Sequence, residues 1–286
     1  MLWSIGNRLF RTYCFPLENN YYGTRTPIGN RSMSSQSPKT VEATVNSFEI
    51  LEVLVEADRP MGVTELSDAV GLSKGVVYNH LGTLSELGYV RKQDRKYCPS
   101  LRLLSPGELT RSSHEIYRVA RSHVDNLAET TDEVATLFIE EDGVGICTYM
   151  ATGTNSWVPE YVCGDALPLH ITAPGKAILG TLEPDRIDEI VSQHGLPSAT
   201  DSTISNRQSL DAELRSIRDN EIAFSREEQF EGVVGVGTSF GLDERAPAAA
   251  IGVCGPLERL SGRYLQEDIT GQVLSTAKSI QVELTK

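Results

Sequence analysis

The chain has 286 residues, 40% of them hydrophobic and 23% charged, with a formal net charge of −13. That length favours two domains, the composition is that of a globular protein, and no apolar run reaches the length of a membrane span, so no membrane partner is expected. Five cysteines (Cys14, Cys98, Cys147, Cys163 and Cys254) include no Cys-x-x-Cys pair, which argues against a zinc site or a disulfide framework and for reduced thiols in a cytoplasmic protein.

The charge is uneven. Residues 1–38 carry +3, residues 39–98 carry −2, residues 99–112 carry +1 and residues 113–286 carry −15. The acidity therefore belongs to the second half of the chain, which would repel DNA. Such an excess fits either a salt-rich cytoplasm or a merely acidic protein. Residues 1–38 hold scattered aromatics and turn formers but no secretory apolar core. They are expected to be a disordered tail or a mis-called start, with translation beginning at Met33.

Residues 42–57 predict a helix with Val45, Phe48, Leu51 and Val55 on one face and Ile50 and Leu54 beside them. Two short helices follow. Thr64 is the expected cap of the first, Leu66, Ala69 and Val70 line one side of it, and Gly71 ends it. Ser73 caps the second, where Val77, Leu81 and Leu84 recur at i, i+4 and i+7 as a buried stripe. Lys74, Gly75, Tyr78, Asn79 and Gly82 must then face outward, while His80 sits beside the stripe and is read as packing. Gly88 terminates this helix. Tyr89-Val90 and Tyr97-Cys98 flank Arg91-Lys92-Gln93-Asp94-Arg95-Lys96, four cations and one anion in six residues.

The layout over residues 39–104 is that of a winged helix-turn-helix, and it points to double-stranded DNA as a partner. Arg91, Lys92, Arg95 and Lys96 suit phosphates, and Ser73, Lys74, Gly75, Tyr78 and Asn79 suit a groove, Asn being able to pair bidentately with adenine. The competing reading is a small helical bundle with no DNA role. Concentration of cations on the wing favours DNA.

Residues 99–112 read as a hinge, and residues 105–130 as a linker and linker helix. In its helical part, about 114–130, Tyr117, Ala120, Val124 and Leu127 form a seam facing either a partner helix or the chain's own second domain. Residues 131–286 alternate strands and helices. A hairpin joins Val134–Glu140 to Val144–Met150 across Asp142-Gly143, with a third strand at 156–163. Helices are expected at 175–182, 184–193 and 207–219, strands at 222–226, 233–240 and 247–254, and a last helix at 264–284. The fold class is α+β in two domains, the second an antiparallel sheet with helices.

In His170–Ala177, Thr172 can cap a helix with Pro174 in its first turn. The N–H groups of Gly175, Lys176 and Ala177 then offer a seat for a carboxylate or phosphate, or the segment is an ordinary capped helix. No P-loop, dinucleotide fingerprint or nucleophile elbow is present, so no catalytic residue, cofactor or metal site is assigned. A small-acid-binding or catalytic α+β protein with an incidental helix-turn-helix is the alternative to a regulator.

One set of motifs joins these parts: Gly164–x3–Pro168-Leu169–x2–Thr172-Ala173–x–Gly175-Lys176-Ala177, Glu228–x3–Gly232, and Ala250-Ile-Gly-Val-Cys-Gly255-Pro256. Together with the helix-turn-helix they resemble the IclR family of transcriptional regulators over residues about 41 to 284. The resemblance implies a GAF-like domain that binds a small metabolite, a carboxylate or sugar-acid-like molecule. It also implies a homodimer or dimer of dimers on a palindromic operator. Carried over position by position, the effector residues are Ala173, Pro174, Ser225, Gly235, Gly252 and Cys254, with Gly175 added from the helix start and Trp157 and Tyr161 as further walls. Gly75-Val76 and Asn79 stand where the family often has Ser-Thr and Arg. Gly235 and Gly252 replace polar side chains of some members, which predicts a roomier pocket.

Overall fold

The structure, a computed structural model, describes residues 40–241 and 248–286; the tail expected over 1–38 lies outside them. In the N-terminal part, helices α1 (Glu42–Glu56), α2 (Val63–Val70) and α3 (Lys74–Glu86) surround a core of Ile50, Leu54, Leu66, Val77, Leu81 and Leu84. A small antiparallel sheet closes it, in the order β1 (Met61–Gly62), β3 (Lys96–Pro99), β2 (Val90–Gln93). Burial of Val77 and Leu81 fixes the rotation of α3 as expected.

The face of α1 differs from expectation. Ile50 and Leu54 are fully buried, whereas Val45, Phe48 and Val55 are exposed, Phe48 by 60%. Two apolar stripes lie side by side on this helix, and helical spacing alone does not choose between them; contact with α2, α3 and β3 selects the Ile50–Leu54 stripe. The cap of α2 also shifts. Gly62 is the N-cap, and its N–H donates to the Glu65 carboxylate (2.8 Å), which also accepts from Arg59 (2.8 Å). The Gly62 N–H, then Arg59, holds Glu65 below the usual carboxylate range, and Thr64 lies inside the first turn.

The expected hinge over 99–112 is largely helical. A short 3-10 turn at Leu101–Leu103 leads into α4 (Leu104–Ser113). Pro106 falls in the first turn, where a missing N–H costs nothing, so the Pro-Gly pair that suggested a hinge instead opens a helix. The break comes at His114, whose extended backbone (φ −78°, ψ 120°) separates α4 from α5 (Glu115–Thr131).

Beyond it lies a six-stranded antiparallel sheet. Its order is β6 (Ala166–Pro168), β5 (Val144–Thr152), β4 (Val134–Glu141), β9 (Ala249–Pro256), β8 (Val233–Phe240), β7 (Ala223–Arg226). One face packs on α5 and α9 (Thr270–Leu284), through Val124, Leu127, Leu137, Ile251 and Val273. The α5 seam therefore faces its own domain. The other face carries α6 (Ala173–Thr181), α7 (Pro184–His194) and α8 (Arg207–Asn220), packed on Phe138, Cys147 and Ala250. Leu137 and Phe138 point to opposite faces, as the period of a strand requires. Residues 156–163 form no strand. Pro159 lacks a ladder donor, a turn closes at Val162–Asp165, and β6 takes the sheet edge instead. Among the described residues no helix is long and apolar enough to cross a membrane.

Candidate functional site

The N-terminal half exposes polar residues at the start of α3 and along the wing. Ser73 caps α3, its hydroxyl accepting from Val76 N–H (3.4 Å). Lys74, Gly75, Tyr78 and Asn79 are all exposed, Tyr78 by 57%. Gly75 and Gly82 face open space, so a flat object can lie close to the backbone there. Gly88 (φ +82°) turns the chain out of α3 into the wing, where Asp94 adopts φ +56° between the paired residues Gln93 and Lys96. Arg91, Lys92, Arg95 and Lys96 are exposed, and Lys92 Nζ lies 5.6 Å from the centre of the Tyr97 ring. His80 is committed elsewhere: its Nδ1 shares a 2.7 Å hydrogen bond with Ser47 of α1.

The C-terminal domain has a narrow cleft whose empty space, the open solvent at its mouth included, is about 360 Å³. Strands β4, β7, β8 and β9 form its floor with Thr136, Phe138, Ser225, Gly235, Gly252 and Cys254, and the start of α6 roofs it with Thr172, Ala173 and Pro174. Tyr161, Gln229 and Phe230 complete the wall. Six of the seven expected effector residues thus meet in one place: Ala173, Pro174, Ser225, Gly235, Gly252 and Cys254. Trp157 stands behind the wall, edge-to-face on Phe230 at 5.2 Å.

Gly175 does not line the cavity. A Cβ there would run into Thr172 Oγ1 and the Leu169 carbonyl, so its role is close backbone packing. The expected anion seat is also largely used up from within: Gly175 N–H donates to Thr172 Oγ1 (3.0 Å) and Lys176 N–H to Thr172 O (2.9 Å). The two cavity glycines differ as well. A Cβ on Gly252 would meet Pro174 Cγ at 2.6 Å and Val236 O at 2.8 Å, so the space is already filled by Pro174. A Cβ on Gly235 would sit at ordinary contact distance (3.4 Å) from Cys254 Cβ, so only Gly235 leaves room.

Among the described residues, the cavity lining contains no Lys, Arg or His. Its polar groups are neutral: Thr136, Thr172, Ser225, Gln229, Tyr161 and the Cys254 thiol, which burial, and then Glu133, push up to about 12. Ser225 Oγ donates to Ile171 O (3.2 Å), whereas the buried Gln229 Nε2 has no hydrogen-bond partner among the described residues. Gln229 is therefore a donor left over for a ligand.

Three ion pairs that the sequence does not announce, two of them on Lys176, lie around this domain's core. Lys176 is fully buried, its Nζ 2.8 Å from Glu213 Oε1 and 2.7 Å from Glu228 Oε2. Burial pushes Glu228 above the carboxylate range, against the pull of Lys176. Glu133, also raised by burial, receives Arg259 through two hydrogen bonds (2.8 and 2.6 Å), and Arg259 bonds Asn155 O as well (2.7 Å). The Arg259–Glu133 pair ties the start of β4 to the turn after β9, and the bond to Asn155 adds the segment after β5. Lys176 and Glu228 stood in plain view in Gly-Lys-Ala and Glu–x3–Gly; the clue was two charged residues within otherwise small, apolar motifs.

Comparison with known proteins agrees with both halves. Residues 43–94 match the profile of the IclR helix-turn-helix domain and residues 109–282 that of the bacterial transcriptional regulator IclR C-terminal domain. A probable HTH-type transcriptional regulator, ArcR, of Halobacterium salinarum is 27% identical over 86% of this chain and 95% of its own. The crystal structure of Thermotoga maritima IclR superposes with a TM-score of 0.75 at 25% identity, covering 86% of this chain and 99% of that one. An IclR homologue of Microbacterium hydrocarbonoxydans, solved in complex with 4-hydroxybenzoate, shares the fold at TM-score 0.71 and 16% identity, over 85% of this chain and 99% of that one. With its C-terminal profile alone spanning more than half of the sequence, the chain belongs to the IclR family of transcriptional regulators.

Proposed function

We propose that this regulator reads a palindromic operator as a homodimer or dimer of dimers in the cytoplasm. Ser73, Lys74, Gly75, Tyr78 and Asn79 lie in the major groove, and Arg91, Lys92, Arg95 and Lys96 lie on phosphates. The observation that supports this most is that all nine of these residues, at the start of α3 and along the cationic wing, are exposed. The effector is a small molecule with a compact apolar or aromatic body and one polar head. Phe138, Tyr161 and Phe230 suit the body. A carboxylate or hydroxyl head would be met by neutral donors, Gln229 Nε2 foremost, because no cation among the described residues lines the cavity. The homologue solved with 4-hydroxybenzoate binds a molecule of this shape.

Selection of duplexes from a random pool by the full chain, followed by gel shifts, tests the DNA reading. Lys74→Ala and Asn79→Ala should each weaken the selected sequence by about 1–3 kcal/mol and leave random DNA unaffected. Arg91→Ala and Lys96→Ala should weaken all sequences alike and each lower the salt slope by about 1. No selected sequence, or turnover of a small acid, would favour the alternative of an incidental helix-turn-helix. A thermal-shift screen of aromatic acids, sugar acids, pyruvate and glyoxylate addresses the effector. A hit that Gln229→Leu and Phe230→Ala bind unchanged would place it elsewhere.

A further inference from the structure

Strand β5 and the turn before β6 bring two cysteines together. Cys147 is fully buried; its N–H donates to Asp165 O (3.0 Å) and its carbonyl accepts from Gly164 N–H (2.8 Å). Residues Val162–Asp165 form a turn closed by Asp165 N–H to Val162 O (3.1 Å), and the Val162 N–H donates to the Asp165 carboxylate (2.9 Å). Gly164 supplies the positive φ (+101°) that a type II turn needs at its third position. Cys163 occupies the second position, exposed at the corner, while the next two residues are bonded to the backbone of Cys147 itself. The same backbone bonds set Cys163 next to Cys147, whose Sγ donates to Tyr149 O (3.9 Å).

The electrostatics are unequal. The contact with Cys147, and then the Arg111 guanidinium, bring Cys163 down to about 6 against the opposing effect of burial. The same contact, and burial, push Cys147 well up. Arg111 comes from α4, where Glu108 pairs with it and the rings of Tyr117 (4.8 Å) and Tyr149 (6.0 Å) lie against it. An exposed thiol held below the ordinary range beside a second thiol held above it is the arrangement that favours reversible oxidation.

We propose that Cys163 and Cys147 form a reversible oxidation site, at which a hydroperoxide oxidises Cys163 and Cys147 resolves it to an intrachain disulfide. The Cys163 thiolate attacks the outer peroxide oxygen, the O–O bond breaks, and the departing hydroxide or alkoxide takes a proton from solvent. Cys163 is left as a sulfenic acid. That group is neutral, so the anion that kept Cys147 protonated is gone. The Cys147 sulfur then attacks the Cys163 sulfur, the S–O bond breaks, and hydroxide leaves with the Cys147 proton as water. Each sulfur has lost one electron and the peroxide has gained two. The product also removes one anionic neighbour of Arg111, leaving Glu108, at the joint between the linker helices and the effector domain. None of this depends on which molecule fills the cavity.

The test uses the reduced full-length chain, stoichiometric hydrogen peroxide, alkylation and peptide mapping by mass spectrometry. The expected product is a Cys147–Cys163 cross-link that dithiothreitol reverses, with Cys98 and Cys254 still free. Alkylation of Cys163 by iodoacetamide in the native protein should reach half its limiting rate near pH 6, and Arg111→Gln should move that midpoint upward. Cys147→Ser should trap Cys163 as a sulfenic acid captured by a dimedone probe. Cross-linking of Cys163 to another cysteine or between chains, its passage to sulfinic acid without a cross-link, or an ordinary thiol midpoint would each overturn the proposal. The wild-type cross-link decides the matter even if Cys147→Ser fails to fold.

Discussion

Single atoms decide what several of these positions do. Gly252→Ala pushes a methyl into Pro174 and the Val236 carbonyl, and should cost about 1–3 kcal/mol in urea unfolding. Gly235→Ala fits at contact distance, so it should leave unfolding nearly unchanged while reducing the thermal shift given by any cavity ligand. The opposite ranking would mean that α6 does not sit on β9 as described. His170 supplies a pH dependence. Burial, reinforced by Lys176 and opposed by a hydrogen bond to Pro197 O (2.9 Å), holds it below its ordinary value of 6.5. Between that lowered value and 6.5 the unfolded chain takes up a proton that the fold refuses, so stability falls as pH drops through 6.5. His170→Gln removes this titration. Melting curves of both proteins between about pH 5 and 7.5 should converge on acidification, because the variant loses less; parallel curves would mean that the imidazole is not held neutral. At this scale the sequence was legible in part. It named seven cavity residues, Tyr161 among them, but it read Lys176 only as a backbone N–H, because nothing local reveals that its side chain ends between Glu213 and Glu228 on distant elements.

At the scale of elements, legibility followed how local the cause is. Caps and stripes set within one helix, such as Ser73, Gly71 and Val77–Leu81–Leu84, were correctly read. Where two local signals competed, tertiary contact decided: the Pro-Gly pair entered α4, and the Val45–Phe48–Val55 stripe of α1 turned outward. That stripe continues to Val41 (64% exposed), and Leu104 and Leu109 of α4 are also open (67% and 70%). Isolated exposed apolar residues are ordinary, but rows of them on two helices flanking a DNA-binding core are what a second copy of the chain would cover. Phe48→Asp together with Leu109→Asp should therefore shift sedimentation toward the monomer and weaken operator binding, with the melting temperature of the C-terminal domain unchanged. An unaltered sedimentation profile would remove α1 and α4 from the interface.

For the whole molecule, charge sets two opposed responses to salt. Residues 113–286 carry −15, and several of their acids already sit in pairs such as Glu133–Arg259 and Glu213–Lys176; the excess remains at the surface and repels itself. Raising ionic strength from 0.1 M to 1 M shortens the screening length from about 10 Å to about 3 Å, which should relieve that repulsion and raise the melting temperature. The same screening weakens the wing, whose Arg91, Lys92, Arg95 and Lys96 can contribute at most about −0.9 each to the slope of log affinity against log salt. A domain whose residues 39–98 sum to −2 has few other cations to bring to DNA, so the slope per chain should stay shallow. On the proposed reading, base contacts by Lys74 and Asn79 and pairing of two chains would then supply the affinity that survives in high salt. Melting and gel-shift titrations over the same KCl range test both halves of this argument at once. A stability flat in KCl would mean that the acidic surface is already neutralised by its geometry, and would exclude a salt-rich cytoplasm as the reason for it. A slope much steeper than the wing allows would require a second basic surface on the DNA.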